Sequence, residues 1–158
     1  MNLSTHFSLA EFCASEVAAR RGLDNRIPPE LIPNAIALCE NVLEPARAVL
    51  GPIRVNSGYR SKKVNTQVGG AVGSQHQLGQ AADIIPLAAN VRMFDLFEYI
   101  YKNLPFDMIV WEFSGAWVHV SYAPVLRHTV LAAVAVPGKN RAVYTEIGAE
   151  QMAAMATT

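Results

Sequence analysis

The chain is poor in cysteine and in charge. Two cysteines in 158 residues, Cys13 and Cys39, are too few for a disulfide-stapled scaffold. Charged residues make up 16%, and 13 Lys plus Arg against 13 Asp plus Glu leave no formal net charge. A chain that grips polyanions normally carries a basic excess, so no nucleic-acid partner is expected. Arg20-Arg21 and Lys62-Lys63 are short solvated runs rather than a basic stripe. No apolar run approaches the ~20 residues of a bilayer-spanning helix, which argues against membrane insertion. The N-terminus, Met1-Asn2-Leu3-Ser4-Thr5-His6, has neither the basic start nor the long apolar stretch of a secretory signal. What is present is 51% apolar residue in a chain of 17.2 kDa. That fits one compact domain over residues 1–148 with a flexible tail over 149–158, expected to be a monomer.

Ser8 and Glu11 have capping-box spacing ahead of Phe12, Cys13 and Val17, which predicts a helix over about 9–20 ended by Gly22. After Pro28-Pro29, the residues Leu31, Ala35, Leu38, Cys39, Val42, Leu43, Ala46 and Leu50 recur at helical steps. Pro45 lies inside that run and predicts a kink or break near Leu43. Ile53 to Ser57 alternates as a strand does. From Arg60 to Gln80 the chain is polar and glycine-rich with no period, the texture of a binding or catalytic loop. Ala81 to Ile85 reads as a buried strand, and Val91 to Leu104 as a third helix capped by Asn90. Two hairpins follow: 108–113 with 117–122 around Ser114-Gly115-Ala116, then 130–136 with 142–147 around Pro137-Gly138-Lys139-Asn140. The class is α+β, with N-terminal helices and then a small antiparallel sheet.

The chemistry-bearing residues lie in the loop and in the first hairpin. His76 ends the glycine-rich stretch, Asp83 follows seven residues later in the next strand, and His119 sits in Trp117-Val118-His119-Val120-Ser121. Two imidazoles and a carboxylate on neighbouring strands make a three-ligand set with a fourth tetrahedral position left for water. This is the arrangement of a catalytic rather than a structural zinc. Spacing alone does not separate it from an ordinary loop histidine and a half-buried strand histidine. Cys13 and Cys39 fall on apolar helical faces and read as core. His6 and His128 lack partners at ligand spacing and read as surface groups.

The segment Ser74-x-His76-x-x-Gly79-x-Ala81-x-Asp83 resembles the signature of the zinc D-alanyl-D-alanine peptidases and the related L-alanyl-D-glutamate endolysins. Ser57-Gly58-Tyr59-Arg60, then Asn65 with Gly69-Gly70, then Trp117-Val118-His119-Val120 resemble further elements of that family in the same order. The likeness runs from about residue 4 to 122. It implies an α+β domain of the hedgehog/D-Ala-D-Ala peptidase type, with helices packed on a small antiparallel sheet that carries one Zn²⁺. It implies that His76, Asp83 and His119 hold the metal. Arg60 would meet the tetrahedral oxyanion or a substrate carboxylate, its alternative being a surface ion pair. Ser74 would contact substrate or orient His76, or serve only its local turn. Tyr59, Trp111 and Trp117 would wall the cleft, unless they are simply packed.

Many relatives carry an acid three residues before the last histidine, where this chain has Ala116. The nearest acid is Glu112. A two-residue turn at Ser114-Gly115 sets Glu112 opposite Trp117 and diagonal to His119, within reach of the metal, as its general base. A three-residue loop would move it to the other face. The resemblance implies hydrolysis of an amide in peptidoglycan stem peptides, by a carboxypeptidase or an endolysin-type endopeptidase. The alternative is a non-catalytic zinc domain for wall binding or virion structure, which Ala116 keeps open. The expected setting is synthesis in the cytoplasm and action on the cell wall, in phage lysis or as a virion part.

Overall fold

Serine side chains set the first two helices. Ser8 Oγ accepts the Glu11 N–H at 3.1 Å and starts α1 (Leu9–Phe12); Ser15 Oγ accepts the Ala18 N–H at 3.2 Å and starts α2 (Glu16–Arg21). The periodicity predicts one helix here. The second serine splits it, because its hydroxyl competes for an N–H that a continuous helix would use. Gly22 ends α2 in the left-handed conformation, φ 62°. The coordinates are a computed structural model, which describes residues 1–138 and 142–157.

The long helical period becomes a short 3₁₀ turn (Pro29–Leu31), α3 (Ile32–Leu38), a π turn (Cys39–Leu43) and α4 (Glu44–Leu50). Pro45 has no N–H to give back to the preceding turn. The chain widens there, and the Glu44 N–H reaches five residues back to the Cys39 carbonyl. The break predicted near Leu43 is this π turn. Ala35, Leu38, Cys39, Val42, Leu43 and Ala46 are buried along it in the main core. Cys39 is a core group: burial pushes its thiol up to about 12.

Six strands follow: β1 (Ile53–Ser57), β2 (Ala81–Pro86), β3 (Met108–Glu112), β4 (Trp117–Ser121), β5 (Thr129–Ala135) and β6 (Ala142–Glu146), in the order β1-β2-β4-β3-β5-β6. The sheet is mixed rather than purely antiparallel, since β5 runs parallel to β3. A link of seven residues, 122–128, passes the start of β3 and sets the chain down on its far side. Asp107 pins that link. Its carboxylate accepts the Arg127 N–H at 2.9 Å, Nε at 2.8 Å and Nη2 at 2.6 Å, and its carbonyl takes the Thr129 N–H at 2.9 Å. The same carboxylate accepts Gln75 Nε2 at 2.8 Å, so the pin also holds the segment that carries His76.

Alternation along the strands separates two faces. Val55, Ile84, Val118 and Trp111 point into the core with Ala82, Val120 and Ile109, where α6 (Met93–Asn103) lies across β2, β3 and β4. The opposite face carries Asp83, His119, Val110 and Glu112.

Three other expectations change. The stretch from 60 to 80 contains α5 (Lys62–Gln67), started by the Ser61 hydroxyl, and a 3₁₀ turn over Gln75–Leu78. Helix α6 begins not at Asn90 but after Arg92, whose N–H goes to the Asp95 carboxylate at 2.8 Å. The segment expected to fray contains α7 (Ala149–Met155). Met152, Met155 and Ala156 pack on the core, and Arg92 Nη1 donates to the Ala156 carbonyl at 2.9 Å. The β5–β6 hairpin pairs as expected, with Lys139 and Asn140 of its turn outside the described residues.

Arg127 chiefly, with Gln75, holds the buried Asp107 carboxyl down to about 2. The pin is therefore intact above about pH 4 and is released as pH falls through about 2. Asp107→Ala should lower the unfolding free energy by about 1–3 kcal/mol, since the Arg127 backbone N–H and the Gln75 amide lose their acceptor. Denaturant unfolding at neutral pH checks this.

Candidate active site

Ser57 to Arg60 folds as a bracket around two of the expected metal ligands. Gly58 lies so close to the Phe12 carbonyl that a Cβ would collide with it, and the Tyr59 N–H donates to that carbonyl at 2.8 Å. The Gly58 carbonyl in turn accepts from His76 Nδ1 at 2.7 Å. The Arg60 N–H donates to the His76 carbonyl at 3.1 Å, and its guanidinium donates to Ser57 Oγ (2.8 Å) and to Asp83 Oδ2. Asn25 braces the bracket from outside: its Nδ2 donates to the Tyr59 and Cys13 carbonyls at 3.0 and 2.9 Å, and its Oδ1 takes the Ser61 N–H at 2.7 Å.

His76, Asp83 and His119 converge. His76 Nε2 and His119 Nδ1 are 3.2 Å apart, His119 Nδ1 and Asp83 Oδ1 3.0 Å, and His76 Nε2 and Asp83 Oδ1 3.3 Å. Ligands on a tetrahedral zinc stand about 3.3 Å from one another, given metal–ligand distances near 2.05 Å. The chemistry of the donors fits as well. A carbonyl only accepts, so His76 Nδ1 carries the proton and Nε2 presents its lone pair. Burial, with His76 only 2% exposed, lowers the imidazole pKa and favours the neutral, ligating form. Burial pushes Asp83 up, but the charge and hydrogen bonds of His76 and His119 outweigh it and hold the carboxyl well below the usual range. Among the described residues, these three could share one metal ion.

Glu112 pairs with Trp117 and Val110 with His119, the register that puts Glu112 on the metal face and diagonal to His119. The turn that sets this register has Phe113 and Ser114 at its centre, not Ser114 and Gly115. Both have positive φ, 46° and 60°, and the Gly115 N–H closes on the Glu112 carbonyl at 3.0 Å. Glu112 is 6% exposed, and its Oε2 is buried with no hydrogen-bond partner. Burial, partly countered by His119, raises its pKa from 4.5 to about 7. A carboxylate whose Oε2 is held unpaired on the face of Asp83 and His119, and which titrates near neutrality, can take up and release a proton.

The other expected site residues fall in different places. Arg60 is neither a surface ion pair nor free to meet substrate with Nε and Nη2, which are spent on Ser57 and Asp83. Tyr59 and Trp111 do not wall a cleft. Tyr59 is core, and Trp111 lies on the other face with its edge against Phe97 and Phe94, centroids 5.6 and 6.2 Å apart. Trp117 is half-buried on the metal face, and its Nε1 is buried without a partner. Ser74 makes no side-chain hydrogen bond to a described residue, and the Gly58 carbonyl does the orienting of His76 expected of it. His6 is exposed, as expected, with its Nδ1 2.8 Å from Glu44 Oε2. Sequence reading missed Asn25, Gln75 and Asp107. The signal for Gln75 was its place beside His76; Asn25 and Asp107 act across long sequence separations that no local pattern records.

The chain matches the family model described as Peptidase M15 over residues 5–121. No curated protein matches it. The matched span contains Ser57 to Arg60, His76, Asp83, Glu112 and His119, and it stops before β5, β6 and α7. The likeness carried by those short motifs holds across most of the chain, which belongs to the peptidase M15 family of zinc peptidases.

Proposed function

We propose that the protein is a zinc-dependent peptidase that hydrolyses an amide bond in peptidoglycan stem peptides, as a D-Ala-D-Ala carboxypeptidase or an endolysin-type endopeptidase. The observation that carries the reading is the convergence of His76 Nε2, Asp83 Oδ1 and His119 Nδ1 beside the unpartnered Oε2 of Glu112. Those three atoms would hold one Zn²⁺. When bound, the metal supplies a Lewis acid that polarises the scissile carbonyl and makes water a better nucleophile.

The chain's own residues do the rest. Glu112 Oε2 takes a proton from water as its oxygen bonds to the carbonyl carbon, and delivers that proton to the leaving nitrogen as the C–N bond breaks. Products are a carboxylate and an amine. Arg60 acts through Asp83: by binding Oδ2 it turns Oδ1 towards the two imidazoles. Gly58 fixes the His76 ring through Nδ1. Ser74 and Trp117 are left free to meet the peptide. The setting we propose is the bacterial wall, reached in phage lysis or from a virion, by a monomer.

Mass spectrometry of muropeptides incubated with the protein tests this directly and names the bond cut. Cleavage should occur, stop with a chelator and return with zinc. Glu112→Gln should keep one zinc per chain while lowering the rate by about 10²–10⁴-fold. Intact muropeptides with every variant, zinc content unchanged, would instead mark a non-catalytic wall-binding or virion domain.

Glu112 also makes a stability prediction for the metal-free protein. Its folded pKa lies above its unfolded one, so its contribution is fully present below about pH 4.5 and is lost as pH rises through about 7. In a chelator, the unfolding temperature of the wild type relative to that of Glu112→Gln should fall between about pH 5 and pH 8, as followed by circular dichroism; the lowered His76 pKa acts in the opposite direction and is common to both proteins.

A further inference from the structure

Strands β5 and β6 lie beyond the span matched by the family, yet they extend the face that carries the metal ligands. Glu112 faces Trp117 on one side and, through the parallel pairing of β3 with β5, Ala133 on the other; Ala133 in turn faces Tyr144 on β6. Residues facing each other across a ladder point to the same side of the sheet. Trp117, Glu112, Ala133 and Tyr144 therefore form one row across four strands.

The residue between the acid and the tyrosine is an alanine, which fills little of the space above it. It is nevertheless only 1% exposed, so larger neighbours lie over it. Tyr144 ends the row, 55% exposed, and carries its hydroxyl on the face of Glu112. Burial raises that hydroxyl's pKa above 10, the charges of Glu112 and Asp83 raise it further, and Arg60 opposes them. The hydroxyl has no hydrogen-bond partner among the described residues.

We propose that Tyr144 is a substrate-contacting residue of this site: its hydroxyl, in the same row as Glu112, donates a hydrogen bond to the carbonyl oxygen of the scissile amide, and the bond strengthens as that oxygen gains charge. The assignment rests on the peptidase reading and supplies what that reading lacks. The donor expected from the sequence, Arg60, spends Nε and Nη2 on Ser57 and Asp83. A phenol that stays protonated is a neutral donor at any pH where Glu112 can act as a base. The parallel addition of β5, pinned by Asp107 and Arg127, then has a purpose at the site, since it sets the strand that carries Tyr144 beside the row of the acid.

Tyr144→Phe removes one oxygen from an exposed strand position and should leave zinc content and unfolding temperature as in the wild type. With a synthetic stem pentapeptide, kcat should fall about a hundredfold with KM little changed. Affinity for a phosphinate analogue of the scissile dipeptide, measured by calorimetry on the zinc-loaded protein, should fall about tenfold. An active wild type, with a Tyr144→Phe variant equal to it in kcat and in phosphinate affinity, would overturn the assignment and leave the peptidase reading standing. If the wild type is inactive on the pentapeptide, the phosphinate arm decides for Tyr144. A wild type that neither cleaves the pentapeptide nor binds the phosphinate would overturn both.

Discussion

Asp83 is a carboxylate taken almost out of water, 6% exposed, and everything around the site answers to that fact. An isolated buried charge is strongly unfavourable, so the group must be paired, hydrogen-bonded or bound to metal. Here one oxygen goes to Arg60 and the other faces His76 and His119. That division fixes which oxygen is left for a cation. It also explains the order of the elements: the Ser57–Arg60 bracket must precede β2, and β2 must lie between β1 and β4 for the three partners to meet on one side.

The cost of this arrangement is spread over groups that touch no substrate. Gly58 gives up its side chain so that its carbonyl can reach His76 while the backbone lies against Phe12. Asn25 satisfies three backbone groups of that bracket and of the preceding helical segment. Asp107 ties Gln75, next to His76, to the link that carries the chain from β4 to β5. His76 and the outer half of the sheet are thus held by one carboxylate, and loosening it would disturb both.

Much of this was legible in the sequence. Alternation and helical period located every strand and the two main helical stretches, because each has one face in the core and one outside. The candidate metal set was legible through the family resemblance that its short motifs carry, spacing alone having left it open. What could not be read depends on contacts distant along the chain. The parallel placement of β5 follows from Asp107 and Arg127 rather than from any feature of Thr129 to Ala135. Arg60 reads as a free cation until Asp83 is seen beside it, 23 positions later. Tyr59 and Trp111 resemble cleft aromatics only while their faces are unknown; alternation sends Trp111 to the core side once Glu112 is on the other. The tail reads as fraying because its residues are small, yet Met152 and Met155 suffice to dock a short helix.

The central claim is that two imidazole nitrogens and one carboxylate oxygen share a single divalent ion. Zinc K-edge X-ray absorption of the protein loaded with one equivalent of metal tests it most directly. The account predicts only nitrogen and oxygen neighbours at about 2.0–2.1 Å, with the outer-shell scattering of two imidazoles, and loss of that signature in Asp83→Ala. A sulfur shell at about 2.3 Å, or an unchanged spectrum in that variant, would contradict it.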